Sequence, residues 1–192
     1  FTGSLTADSG VSVANLKING SDDDNLGLIG VADGAEITDL VISSATVEIP
    51  NDQGTTGVLV GTARGSTTIR NVETDGSITT EDGNAIGSDV GGLVGHLKNG
   101  TIDDGTAKVS ITAADTVGGL VGRVSADGTI STSTATGDIN NPDRAGTFED
   151  FGGFVGSNEG TITDSDASGN VDGGTNIGGF AGRNTGTISG SH

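Results

Sequence analysis

Apolar and glycine residues recur along the chain in a short block that occurs six times. The copies occupy residues 26–30, 57–61, 91–95, 118–122, 152–156 and 178–182, and the middle copies read GGLVG. Successive copies begin 31, 34, 27, 34 and 26 residues apart. A repeat of roughly 20 to 50 residues is typical of solenoids, propellers and other stacked arrays. The chain is therefore predicted to consist of repeated structural units.

A second apolar position, the marker isoleucine, follows each block after a polar turn. The six markers are Ile37, Ile69, Ile102, Ile130, Ile162 and Ile188. Small or aliphatic residues stand 3, 5, 7 and 9 positions after a marker, as in Ser165, Ala167, Gly169 and Val171. This alternation has the period of a strand with one buried face, and the odd step of three after the marker predicts a corner. Each repeat is therefore predicted to contain about three short strands.

One such repeat is too small to bury a core, whereas stacked repeats form continuous columns of inward residues and parallel strands. We predict an all-β, three-sided parallel β-solenoid of about seven rungs. It forms a single domain, 1–192, with a degenerate first rung at 1–25 and repeats that begin at residues 26, 57, 91, 118, 152 and 178. A propeller blade needs about 40 to 50 residues, more than these repeats contain. We also expect this segment to be part of a longer chain.

The order of GGLVG, a polar turn, G-T-I and S-x-A-x-G-x-V resembles the GLUG repeat of large bacterial and archaeal secreted and surface proteins. Residues 152–171 and 118–139 match this pattern closely, and residues 91–111 match it less well because Gly105 replaces the usual serine. The resemblance extends over roughly 26–191. It implies a β-solenoid segment of an exported or adhesin-like protein, and it implies no catalytic residues.

Composition narrows the classes of partner. The 192 residues include 36 glycines and no cysteine, and the formal net charge is −18. Without cysteine there is no disulfide framework and no thiolate metal site. The negative charge argues against nucleic acid and against anionic membrane surfaces, and no apolar run is long enough to insert into a membrane. We expect an extracellular or cell-surface location, and the excess of Asp over Lys suggests a salt-rich environment.

Catalytic chemistry finds little support in the sequence. His192 is terminal, and His96 stands alone after a block, where we interpret it as a solvent-exposed turn residue. A polysaccharide-acting β-helix enzyme would need paired carboxylates, with Arg70 or Arg123 nearby. The candidate pairs are Asp103 with Asp104 and Asp164 with Asp166. Because 26 acidic residues make such pairs common by chance, we predict no enzyme and no catalytic residue.

A ligand-binding solenoid is the alternative function. Clustered carboxylates on loops are typical calcium ligands. The weak calcium candidates are Asp22, Asp23, Asp24, Asp164, Asp166 and Asp172, and no other cofactor is expected. Flat threonine columns are the ice-binding alternative. The column predicted here contains Thr101, Thr129, Thr161 and Thr187, although Arg70 and Asp103 interrupt its neighbouring column.

The blocks contain two adjacent large apolar residues, such as Leu93 and Val94. A regular strand cannot point both inward, so either a bulge intervenes or one column faces outward. An outward column would be an interface for flanking domains or identical subunits, in addition to the open solenoid ends. Its members are Leu28, Leu59, Leu93, Leu120, Phe154 and Phe180. Together these features predict a non-catalytic structural or adhesive repeat module of a surface adhesin or filament-forming protein.

Overall fold

The computed structural model describes residues 1–8, 11–20, 25–49, 54–80, 86–141 and 150–192. Within these ranges the regular structure consists of strands, and no helix is long and apolar enough to cross a membrane. The strands are β1 (Ser4–Thr6), β2 (Ser12–Ala14), β3 (Lys17–Asn19), β4 (Ile29–Asp33), β5 (Glu36–Ile49), β6 (Thr55–Gly57), β7 (Val60–Arg64), β8 (Thr67–Thr80), β9 (Ile86–Gly91), β10 (Val94–Thr112), β11 (Ala114–Gly118), β12 (Val121–Ser131), β13 (Thr134–Ala135), β14 (Ile139–Asn140), β15 (Asp150–Gly152), β16 (Val155–Asn158), β17 (Thr161–Thr163), β18 (Asp166–Ala167), β19 (Val171–Asp172), β20 (Asn176–Gly178), β21 (Ala181–Asn184) and β22 (Thr187–Ser189).

Each turn pairs in parallel with the next, so equivalent residues of successive repeats stand in columns. A 17-stranded sheet contains most strands, and a 5-stranded sheet contains β6, β9, β11, β15 and β20. The marker column runs through Leu5, Ile37, Ile69, Ile102, Ile130, Ile162 and Ile188 in unbroken register. This confirms the predicted all-β parallel β-solenoid.

The number of rungs and the number of strands in each rung both differ from the prediction. Five complete turns lie between a partial turn at each end, and the predicted seven counted these partial turns as rungs. The last complete turn contains β15 to β19, which is five short strands instead of three. The glycine block supplies two of these strands, because the chain bends within it from the smaller sheet into the larger one.

This bend explains how both large apolar residues of a block face inward. The backbone N–H groups of Leu93 and Val94 donate to the same carbonyl, that of Leu120, at 2.9 and 3.2 Å. Leu120 and Val121 share the Phe154 carbonyl in the same way, at 2.9 and 3.2 Å. Two successive donors directed at one acceptor break the alternation of a flat strand. Successive side chains therefore enter the core together.

The predicted outward apolar column is consequently wrong. Leu59, Leu93, Leu120 and Phe154 are all 0 % exposed. Leu28 and Phe180 occupy the two ends of the same column and pack against the core as half-buried residues. The block therefore follows the other alternative, an interruption of the regular strand, and here the interruption is a bend that directs both residues inward.

Paired glycines in the block permit this close stacking. A Cβ atom on Gly92 would overlap the carbonyl oxygen of Gly119 in the next turn, and one on Gly119 would overlap that of Gly153. Neither glycine has a positive φ. The requirement is therefore space for the neighbouring backbone and not an unusual conformation.

The corner predicted after the marker is present and has a defined conformation. The residue two positions after the marker has a positive φ between 48° and 57° in five turns, at Asp39, Asn71, Asp104, Thr132 and Asp164. Asn and Asp tolerate this left-handed conformation better than other non-glycine residues. The Asn71 side-chain amide also donates to Asp39 Oδ1 at 2.7 Å, which joins adjacent corners.

The serine of the S-x-A-x-G pattern is a buried hydrogen-bonding residue. Ser133 Oγ accepts from the Gly105 N–H at 3.0 Å and donates to the Ser131 carbonyl at 2.7 Å. Ser165 repeats the arrangement one turn later, accepting from the Ser133 N–H at 3.2 Å. Buried backbone groups at the corner thus obtain partners that a flat strand ladder would not provide.

Glycines at the same position of the block provide a test of close stacking. We expect Gly119→Ala to lower the free energy of unfolding by about 1–3 kcal/mol, since its added methyl group has no space beneath the Gly153 carbonyl. Gly179→Ala is the matched control, because nothing lies within 4 Å of a Cβ atom there. Urea denaturation of both variants measures the difference. Equal losses of stability would contradict the stacking argument.

Candidate functional site

Two facing ladders of polar residues border the bend in each block. On the smaller sheet the ladder contains Thr55, Asp89, Thr116, Asp150 and Asn176, each two residues before the strand-ending glycine. On the larger sheet it contains Thr62, His96, Arg123, Ser157 and Arg183 in continuous register. Because the chain bends between the two sheets, residues seven apart in sequence face one another across the corner.

The lowest of these facing pairs is a hydroxyl cluster. Thr55 Oγ1 and Thr62 Oγ1 lie 2.8 Å apart, and each donates to Asn25 Oδ1 at 2.6 Å. The two hydroxyl groups and the amide oxygen of this cluster therefore have partners within the corner. It is the uncharged version of the arrangement that follows in the next turn.

In the next turn the pair is Asp89 and His96. Asp89 Oδ2 lies 3.2 Å from His96 Nδ1, and the two side chains are only 7 % and 13 % exposed. The other ring nitrogen, His96 Nε2, forms a 2.9 Å hydrogen bond with Ser125 Oγ from the following turn. The imidazole is thus held between a buried carboxylate and a hydroxyl group.

Arg123 completes the cluster. It stands directly above His96 in the strand register and lies two residues before Ser125, on the same face of β12. Its guanidinium nitrogens lie 3.9 Å from Asp89 Oδ1 and 3.9 Å from Glu159 Oε1. Asp89 Oδ1 is buried and has no hydrogen-bond partner. The cluster therefore combines the imidazole with a positive charge and with a carboxylate oxygen that lacks a hydrogen-bond partner.

In the turns above, the facing pairs are Thr116 with Arg123, Asp150 with Ser157 and Asn176 with Arg183. Asp150 is buried and accepts a hydrogen bond from Asn176 Nδ2 at 2.9 Å. Ser157 is also buried, and its neighbour Asn158 donates to Asn184 Oδ1 at 2.8 Å. Among the facing pairs in the described ranges, the pair of Asp89 and His96 is the one that joins a carboxylate to an imidazole.

An imidazole between a carboxylate and a hydroxyl can act as a general base toward that hydroxyl. This arrangement was not predicted from the sequence, because His96 was interpreted as a solvent-exposed turn residue. A signal was nevertheless present. Asp89 and His96 flank their block with the same seven-residue spacing as Thr55 and Thr62, so a bend within the block brings both pairs into contact.

Three of the six predicted calcium residues lie in the part of the chain that the structure describes, and these three do not form a cluster. Asp22, Asp23 and Asp24 lie outside the described residues. Asp164 occupies a left-handed corner, Asp166 is exposed and lies 3.1 Å from His192 Nδ1, and Asp172 is half-buried on β19. Within the ranges that the structure describes, no three carboxylate or imidazole groups are arranged to hold a metal ion. Calcium binding stays a prediction.

The carboxylates of the predicted catalytic pairs also have different partners from one another. Asp103 lies 3.6 Å from Arg70 and accepts a hydrogen bond from Ser131 at 2.8 Å, whereas Asp104 forms the next corner. Arg123 belongs to the Asp89 cluster and not to a pair with Asp164 and Asp166. The threonine column does form, with Thr101, Thr129, Thr161 and Thr187 in register. Ice binding itself stays untested.

Comparison with known proteins matches the GLUG motif at residues 113–140 and 150–172. The first of these segments includes Arg123 and Ser125, and neither includes Asp89 or His96. Halomucin of Haloquadratum walsbyi is 39 % identical over 150 residues, which cover 73 % of this chain and 2 % of halomucin. An immunoglobulin A1 protease of Streptococcus sanguinis is 31 % identical over 150 residues, covering 59 % of this chain and 8 % of that protein.

A solved structure supports the fold. The crystal structure of a candidate immunoglobulin A1 protease from Bacteroides ovatus superposes with a TM-score of 0.70 at 20 % identity. The match covers 94 % of this chain and 57 % of that one. The chain spans less than a tenth of either curated relative, so their names describe proteins far larger than this segment.

Removal of the buried carboxylate tests the cluster. We expect Asp89→Ala to lower the free energy of unfolding by about 1–3 kcal/mol, because it leaves a hole and an unpartnered, nearly buried imidazole nitrogen. Asp103→Ala is the control, since its pair with Arg70 is exposed to solvent and contributes at most about 1 kcal/mol. Thermal and urea denaturation measure both variants. A loss for Asp89→Ala no larger than for Asp103→Ala would show that the cluster is not stabilising.

Proposed function

We propose that this chain, which carries the GLUG motif, is a structural repeat module of an extracellular surface protein. The observation that supports this role most directly is the uninterrupted marker column from Leu5 to Ile188. Seven strands at a spacing of about 4.8 Å give a rod roughly 30 Å long. A stack of this kind acts as a spacer between the protein segments attached to its two ends.

The extracellular location is supported by chemistry as well as by resemblance. GLUG repeats are typical of secreted and surface proteins, and the chain has no cysteine or methionine to oxidise. The 26 acidic residues outnumber the 8 basic ones, so at low ionic strength the rod repels itself. Salt screens this repulsion, which suits a protein exposed to a salt-rich medium.

We propose further that the C-terminal end of the rod accepts a rung from a second copy of this chain. In the last turn of this sequence, Ile177 continues the buried column of Val117 and Phe151 and is 50 % exposed. Phe180 stacks on Phe154 with ring centroids 4.7 Å apart, and the described residues place no third ring on its other side. Exposed strand edges and apolar surface of this kind favour pairing with another chain.

An adhesive or filament-forming role follows from such end-to-end association. The lateral surfaces no longer contribute to it, because the apolar column assigned to them is buried. Contacts between rods are therefore proposed at their ends, where the repeat offers the same backbone groups and small residues that join one turn to the next.

Calorimetry distinguishes a structural module from a calcium-binding one. We expect the melting temperature to rise as KCl is increased from low to molar concentration, because carboxylate repulsion is screened. At constant ionic strength, CaCl2 and MgCl2 should have the same effect. A rise specific to calcium would favour the ligand-binding alternative, and a melting temperature insensitive to KCl would contradict the proposed adaptation to salt.

Analytical ultracentrifugation tests association through the C-terminal end. We expect concentration-dependent oligomers in molar KCl, and we expect Ile177→Glu to abolish them by placing a charge on the apolar surface of the last turn. Val41→Glu is the matched control, since Val41 is 40 % exposed on the side of the rod. Monomers at every salt concentration, or equal effects of the two substitutions, would overturn this interface.

A further inference from the structure

We propose that Ser125, His96 and Asp89 form an acyl-transfer site on the side of the rod, with Ser125 as the nucleophile. The inference rests on the 2.9 Å hydrogen bond between Ser125 Oγ and His96 Nε2 and on the 3.2 Å separation of His96 Nδ1 and Asp89 Oδ2. Such a chain of hydroxyl, imidazole and carboxylate is the arrangement that activates a serine. It adds an activity to the proposed structural role and does not depend on that role.

The fold holds the three groups rigidly. Asp89 lies on β9, His96 on β10 and Ser125 on β12, so two successive turns of the solenoid supply the site. Their strands are joined by the parallel ladders that carry the whole stack. A site built on paired strands keeps its side-chain geometry better than one on a loop.

Burial of the Asp89 carboxylate assigns each of the three groups a different role in the reaction. The Asp89 side chain is 7 % exposed and is directed at His96 Nδ1, which keeps the proton of a neutral imidazole on that nitrogen. Nε2 is then free to accept the proton of Ser125 Oγ. Asp89 touches neither the nucleophile nor an acyl group, and it is therefore a positioning residue.

The other imidazole beside a carboxylate provides a contrast. His192 Nδ1 lies 3.1 Å from Asp166 Oδ1, but the His192 side chain is 88 % exposed. Its ring is not enclosed as that of His96 is. Burial of the carboxylate and the imidazole together thus distinguishes the proposed site.

Arg123 supplies the positive charge that acyl transfer requires. It precedes Ser125 by two residues on the same strand face, and its side chain is 38 % exposed. A cation at this position stabilises the negative charge that develops on the carbonyl oxygen of an attacked ester. Its own distances to Asp89 and Glu159, both 3.9 Å, leave its N–H groups available to that oxygen.

The reaction balances with water as the only co-reactant. Ser125 Oγ forms a bond to the acyl carbon while its proton moves to His96 Nε2. The bond from the acyl carbon to the alcohol oxygen then breaks, and the alcohol leaves with the proton from Nε2. Water attacks the acyl-serine, gives one proton to Nε2, and releases the carboxylic acid as Ser125 recovers its proton.

Charge and location define the class of substrate. A protein with a formal net charge of −18 repels anionic acyl donors, so a neutral ester is favoured. The site lies on the outer face of the ladders, beside Arg123, and not inside the apolar core. Short acyl esters, free or carried on an uncharged polymer, fit this setting.

Covalent labelling tests the nucleophile directly. The 192-residue chain is treated with a fluorophosphonate probe in molar KCl, and the modified residue is identified by mass spectrometry. We expect modification of Ser125 in the wild-type chain and loss of that label in Ser125→Ala and His96→Gln. Ser131→Ala is the control, because Ser131 lies on the same strand and its hydroxyl contacts a carboxylate, Asp103, without an imidazole.

Hydrolysis of p-nitrophenyl acetate measures turnover. We expect the rate above background to fall at least about 100-fold in Ser125→Ala and His96→Gln, and to be unchanged in Ser131→Ala. The Asp89→Asn variant should still be labelled at Ser125, but more slowly than the wild type, because Asp89 positions the imidazole and does not itself react. Circular dichroism and melting of each variant identify any loss of fold.

Identification of the labelled residue in the wild-type chain is a test that does not depend on the stability of any variant. Absence of label on Ser125 in the folded wild-type protein would overturn the proposal. So would equal labelling of Ser125 in the wild type and in a folded His96→Gln variant, because the imidazole would then not activate the serine. Neither result would affect the proposed structural role, which rests on the stack and on its ends.

Discussion

Hydrogen bonding between successive turns is the constraint on which the rest of this structure depends. The backbone groups of each strand form hydrogen bonds with the turn above and with the turn below. A residue type that fits one position must therefore fit the same position throughout the stack. The marker column from Leu5 to Ile188 shows this for an aliphatic side chain. The paired glycines show it for backbone, since any side chain there would meet the carbonyl of the next turn.

The same constraint shapes the outside of the rod. The positions of the polar ladders are also in register, but they lie outside the apolar core, so the ladder changes from Thr55 and Thr62 to Asp89 and His96 one turn later. A chemical site can therefore arise in one or two turns without altering the stack. Ser125 comes from a different turn than His96, 29 residues away in sequence, yet only 2.9 Å separates their polar atoms.

Charge and stacking act in opposite directions at the ends. The surface around Ile177 and Phe180 has the composition of the interior, and burying it against another rung is favourable. The excess of carboxylates opposes the approach of a second rod, and salt reduces that opposition. Interior stability and surface repulsion are thus set by separate groups of residues, which lets the medium control association while the fold stays the same.

The repeat, its parallel stacking and the corner after each marker could be predicted from the residues alone, because the period of two and the odd step of three are local properties of a strand. The residues alone did not determine how Leu93 and Val94 share the core. That depended on the bend in which both N–H groups donate to the Leu120 carbonyl, a contact 26 or more residues distant. Because of the same bend, the apolar column that was predicted to face outward is buried in the core, and Asp89 contacts His96. Only the tertiary structure could decide these features, since they depend on which carbonyl of the next turn the backbone reaches.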